Sequence, residues 1–221
     1  MTSPRAKDKT DERWRFPRGA GGLSPELVSE VQRHRLFEAT CVALADEGGY
    51  GRTTVAKIVE SAGISTRTFY QLFEGKDECL LAAHRAYAGE LGAALAEPWV
   101  ASGSWAERVR AAIDVALAYG KAAPAQLRFL LLDAPTANRA LRAEHRLAAS
   151  PLAAALREGR AEPGPGKQPP LTEEMLLVAL AWRIGVALED EEPLAPLTPA
   201  LTEFALAPYL GAEAAREQAR A

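Results

Sequence analysis

Between residues 54 and 81 the chain reads TVAKIVESAGISTRTFYQLFEGKDECLL, and this stretch holds the side chains best suited to chemistry. Thr66, Arg67, Tyr70 and Gln71 share one face of a short helix, above an apolar underside of Phe69, Leu72 and Phe73. The Arg67 guanidinium can fork to O6 and N7 of a guanine, and Gln71 lies one turn further along the same face. Tyr70 offers a phenolic hydroxyl on a rigid ring, suited to a phosphate oxygen. Ser65, Thr66, Arg67 and Thr68 form the first turn, the end that meets base edges when such a helix enters a major groove. Thr53 and Thr54 stand at another helix amino terminus, where backbone N–H groups and hydroxyls favour an anion. Lys76 adds a full charge at the start of the next helix. The chemistry is recognition of a polyanion and its base edges.

Bond-making chemistry has no comparable set. His34, His84 and His145 show no metal-ligand spacing with Cys41 and Cys79, which read as two buried small hydrophobes in a reducing compartment. No nucleophile–base pair, phosphate-binding glycine loop or metal cluster is visible, so neither an enzyme nor a bound cofactor is expected.

The elements that must position these residues are helical. Abundant Ala and Leu with few β-branched residues point to an all-α protein of one large or two small domains. Ser24-Pro25-Glu26 supplies a cap, a proline and an early acid for a first helix that Gly48-Gly49 stops near Glu47. Val55, Ile58, Val59 and Ala62 follow the i, i+3, i+4, i+7 rule of a second helix. Gly63 ends it, because the turn needs positive φ. Ser65 caps the third helix. A fourth runs from about Gly75 towards Glu97, where Pro98 breaks it. Beyond lie Ser104–Lys121, a short apolar Pro124–Asp133, and Thr136–Arg160 as one helix or two about Pro151. A loop over 161–170, an apolar Thr172–Leu188 and a last helix from Pro199 to Ala207, ending at Pro208, complete about nine helices.

The segment from the first helix through Leu81 resembles the DNA-binding domain of the TetR family of bacterial transcriptional regulators. Tyr50, Thr53-Thr54-Val55, Ala62-Gly63-Ile64-Ser65, Thr68-Phe69-Tyr70, Phe73 and Lys76 carry the resemblance jointly. It implies a flexible basic arm over 1–23, a three-helix helix-turn-helix domain over 24–81, and a larger ligand-binding and dimerisation domain over 82–221. It assigns Thr66, Arg67 and Gln71 to bases, and Thr53, Thr54, Ser65, Thr68, Tyr70 and Lys76 to phosphates. Val59, where a small residue is frequent, and Glu74, close to where a phosphate should run, depart from the pattern.

The resemblance further implies a homodimeric repressor released from a palindromic operator by a small organic effector. Leu176, Leu180, Leu201 and Phe204 are expected to form an isologous helical interface, since they offer more apolar surface than a monomer leaves wet. Trp105, Tyr119, Arg128, Phe129, His145 and Trp182 are candidates to line the effector pocket.

Net charge is −3, but residues 1–23 hold six Lys/Arg against three Asp/Glu, whereas residues 24–84 hold six against nine. DNA binding must therefore rest on a few placed cations rather than on bulk charge. The polar amino terminus has no signal-like apolar region, and the run Met175–Trp182 is too short to span a bilayer. A soluble, cytoplasmic protein is expected, with double-stranded DNA and its own copy as partners and no membrane. The competing expectation is a helical interaction module whose degenerate helix-turn-helix no longer binds DNA.

Overall fold

A computed structural model describes residues 24–101, 103–164 and 166–220; the basic arm over 1–23 lies outside them. The described residues form ten α-helices and no strand. Ser24 opens α1 (Pro25–Glu47) by accepting from the Leu27 N–H at 3.3 Å, and Gly48 closes it. α2 (Val55–Ala62) and α3 (Thr66–Leu72) form the helix-turn-helix. Between them Gly63 sits at φ 64°, where a β-carbon would strain the backbone. Thr54 caps α2 through the Lys57 N–H, and Ser65 caps α3 through the Thr68 N–H at 3.0 Å.

α4 (Lys76–Val100) leads out of this head into the remaining helices. These are α5 (Trp105–Ala122), α6 (Pro124–Arg128), α7 (Arg139–Arg157), α8 (Thr172–Glu189), α9 (Thr198–Leu210) and α10 (Ala212–Arg220). α6 continues into a π-helical turn at Phe129–Asp133. Reading prolines as stops misplaced two helix ends: Pro98 and Pro208 lie inside α4 and α9, as Pro151 lies inside α7. Packing of the flanking turns outweighs the cost of about 3 kcal/mol for a proline inside a helix. α10 was not expected; Ala215 and Ala219 are its buried face.

Two apolar cores result. The first joins Leu36, Leu44, Ile58, Phe69, Phe73 and Leu80 of the head to Phe129, Leu130, Ala134 and Leu141. The second gathers Val109, Leu117, Ile184, Leu206 and Tyr209 around Trp105. The Trp105 indole donates to the Ala155 carbonyl at 3.0 Å and meets the Tyr209 ring edge-on at 4.9 Å. A β-carbon at Gly159 would lie 2.4 Å from that indole, so glycine is required for this approach. Beside it, the buried Glu173 carboxylate accepts from Arg160 Nε at 2.7 Å and from the Tyr209 hydroxyl at 3.1 Å.

This packing corrects several expectations for the carboxy-terminal half. Leu176 and Leu201, expected at a subunit interface, are each 5% exposed and fill the second core. Leu180 packs partly against it, and Phe204 alone of the four is freely exposed. The six expected pocket residues do not converge. Trp105 is core, Phe129 belongs to the other core, and Trp182 is 64% exposed on the outer face of α8. Arg128 is spent on Asp133 at 2.6 Å and Glu189 at 2.9 Å, and the Tyr119 hydroxyl reaches Glu90 at 3.5 Å. His145 faces His84. Two open surface notches, one along Leu210–Glu217 and one beside Arg160, Glu162 and Gln168, are lined by none of the six.

Candidate nucleic-acid interface

α3 is anchored from beneath. Phe69 is fully buried, Phe73 nearly so, and the two rings pack at 5.8 Å. Arg33 of α1 lies over the Phe73 ring at 5.0 Å, closing the underside with a cation. With that face fixed, helical geometry sends Thr66, Arg67, Tyr70 and Gln71 outward within an arc of roughly 140°. All four are exposed, and Tyr70 is 57% exposed although its ring edge rests on Phe69 at 5.4 Å. The expected reading face is therefore brought together on one surface.

The expected phosphate contacts divide. Thr54 is exposed at the amino terminus of α2. Ser65 and Thr68 are tied to each other, hydroxyl to hydroxyl, at 2.8 Å, which stiffens the first turn of α3. Thr53 is a correction: it is 1% exposed, and its hydroxyl donates to the Gly49 carbonyl at 3.0 Å, so its side chain is turned away from any phosphate. The sequence pair Thr53-Thr54 carries no signal that distinguishes a loop staple from a cap.

Lys76 is also revised. Its ammonium donates to the carbonyls of Tyr50 and Thr53, each at 2.8 Å, and stands 3.9 Å from the Tyr50 ring centroid. It clamps the α1–α2 loop to the start of α4. Tyr50 completes the clamp by donating its hydroxyl to Asp77 Oδ1 at 2.7 Å. Neither role has a local signal in the sequence, because a contact across 27 residues has no periodicity. Glu74, whose acid was expected to disfavour a phosphate, is exposed, and its backbone N–H is taken by Glu78 at 2.5 Å. Gly75 caps α4 without any side-chain bond.

A second surface stands on α8. Met175, Val178 and Trp182 are exposed at the three–four spacing of one helical stripe, Leu171 is exposed at the cap before it, and Phe204 of α9 is exposed as well. In the sequence that stripe is hidden by the apolar residues on the helix's inner side.

A three-helix head with an exposed, anchored recognition helix, followed by a helical body, is the fold of helix-turn-helix regulators. Residues 39–83 match the family of bacterial regulatory proteins described as the tetR family. No curated protein matches the sequence. Among solved structures, the FadR transcriptional regulator of Bacillus subtilis, in complex with stearoyl-CoA, is similar with a TM-score of 0.66 at 18% identity, over 80% of this chain and 98% of that one. A TetR-like regulator from Rhodococcus sp. RHA1 is similar with a TM-score of 0.65 at 18% identity, over 87% and 97%. The ketosteroid regulator KstR2 of Mycobacterium tuberculosis gives 0.59 at 18% identity, over 85% and 96%. At these identities the likeness is one of fold. Among the described residues no helix is long and apolar enough to cross a membrane.

Proposed function

We propose that the chain is a DNA-binding transcriptional regulator that acts as a homodimeric repressor on a palindromic operator. The observation that carries the reading is the outward face of Thr66, Arg67, Tyr70 and Gln71 on a helix locked by Phe69. Thr66, Arg67 and Gln71 read base edges, while Tyr70, Thr54, Ser65 and Thr68 hold the backbone. Lys76 acts chiefly by setting the spacing between the α1–α2 loop and α4, which places Thr54 against the phosphates. The exposed stripe of α8 with Phe204 meets its own copy about a two-fold axis, setting two heads on one face of the duplex.

Release by a small organic effector follows the same reading, supported by fold likeness to a regulator solved with stearoyl-CoA and to a ketosteroid regulator. Such an effector must bind the DNA-incompetent arrangement better than the competent one. Fluorescence anisotropy on DNA from the protein's own upstream region tests the core claim. Tight, salt-dependent binding that exceeds binding to random duplex is the expected result. Equal, weak binding to both would favour a helical module whose head no longer reads DNA.

A further inference from the structure

The crossing of α4 over α7 is made by a pair of imidazoles. His84, on the inner side of α4, is 1% exposed, and its Nε2 lies 3.4 Å from Nδ1 of His145 on α7. The rings meet edge to face with centroids 5.6 Å apart, and Phe129 covers His84 from the π-helical turn at 6.3 Å. Nδ1 of His84 is buried without a hydrogen-bond partner. A bond between two neutral imidazoles needs one N–H and one lone pair, so the contact fixes complementary tautomers. Protonating both rings removes the accepting lone pair and sets two positive charges in contact at a part-buried crossing.

We propose that His84 and His145 form a proton-operated latch between α4 and α7, closed while both rings are neutral and released when both are protonated. α4 carries the recognition head directly, since Lys76 at its first turn holds the α1–α2 loop. The consequence for DNA rests on the regulator reading; the latch itself does not.

The surrounding charges are few. From α7, Glu144 favours the protonated form of His84, but Arg85 of α4 engages that carboxylate in a two-pronged ion pair at 2.8 and 3.1 Å and opposes it. The π-helical turn contributes the uncharged Phe129 ring. Burial, and then the neighbouring His145, push His84 down to about 4, and burial lowers His145 as well. Both rings are thus harder to protonate in the closed crossing than in the open. The closed form is fully favoured above the ordinary histidine value of about 6.5, and opening gains as pH falls below it. Each released ring contributes up to about tenfold per pH unit, and the pair up to about a hundredfold. The Arg85–Glu144 pair is exposed and screened by salt, so it slows release without preventing it.

Hydrogen exchange of the amides flanking residues 84 and 145, corrected for intrinsic rates, reads the opening directly between about pH 7.5 and 5.5. The full-length protein should show opening that rises roughly tenfold or more across that range. The double variant His84→Leu, His145→Leu should be flat. His145→Gln keeps an acceptor but does not titrate, and should show about half the slope even if the double variant does not fold. Flat exchange in the wild type, or a variant as steep as the wild type, overturns the latch. Anisotropy on the upstream DNA over the same pH series should weaken in step with opening. A protein that opens with pH yet binds no DNA at any pH sinks the regulator reading and leaves the latch standing. DNA binding that weakens with acid while exchange stays flat does the reverse.

Discussion

Lys76 Nζ is held between the Tyr50 carbonyl, 2.8 Å away, and the face of the Tyr50 ring, 3.9 Å away. A lysine so placed is structural before it is anything else. Lys76→Ala leaves the Tyr50 and Thr53 carbonyls without their donor and should lower unfolding stability by about 1–3 kcal/mol in urea. A lysine that served a phosphate alone would leave the urea midpoint unchanged and only reduce the salt slope of DNA binding by about one.

Arg67 projects from the first turn of α3 with no ion pair among the described residues. Arg67→Ala should weaken binding to the specific operator by about 1–3 kcal/mol and relax preference at one base step, with little change on random duplex. Anisotropy titrations against a set of single-base operator variants measure this. A uniform loss on every sequence would reassign Arg67 to the backbone.

For self-association, the position on α8 decides the outcome. Trp182→Glu and Met175→Glu place charges on the exposed stripe and should convert a dimer to a folded monomer, seen in sedimentation velocity with unchanged helical circular dichroism. Leu176→Ala, one residue further along the same helix, removes core volume and should instead cost about 2–5 kcal/mol of stability. Were the Trp182 and Met175 variants to sediment like the wild type, the stripe would not be the interface.

Glu173 ties the turn after α7 to α9 through Arg160 and Tyr209. The Arg160 hydrogen bond holds its carboxyl below the ordinary carboxylate value of 4.5, against the opposing effect of burial. A carboxyl lowered in the folded state stabilises it above that ordinary value, and the contribution fades as acid carries the pH down through the folded value. Glu173→Gln should therefore flatten the acid limb of a melting-temperature profile. At neutral pH it should cost about 1.5–3 kcal/mol, the scale of a hydrogen bond to a charged group. A parallel acid limb in the variant would place the sensitivity elsewhere.

The head was legible in the sequence because its signals are local. Ser24, Thr54, Ser65 and Gly63 each announce a helix end through chemistry within four residues, and Val55, Ile58 and Phe69 keep a helical period. What was not legible depends on partners far along the chain. Thr53 and Thr54 are chemically equivalent until the fold turns one towards Gly49 and the other outward. Leu176 and Met175 differ by one residue, and only the presence of the second core makes one a wall and the other a surface. The prolines misled for a related reason: their local penalty is real, but Pro98 is itself buried within α4. Of the residues proposed for a pocket, Phe129 and His145 meet at His84, whereas Trp105 fills the second core and Trp182 faces outward.

Phe129, Leu130, Ala134 and Leu141 share one hydrophobic nucleus with Leu44, Ile58 and Phe69, across any boundary drawn near residue 81. Chimeras that exchange only the first eighty residues between related chains would expose part of that nucleus and mismatch the rest. A transplant that is to remain folded must carry the π-helical turn and the beginning of α7 along with it, so the two halves inherit each other's substitutions and cannot be shuffled as independent cassettes.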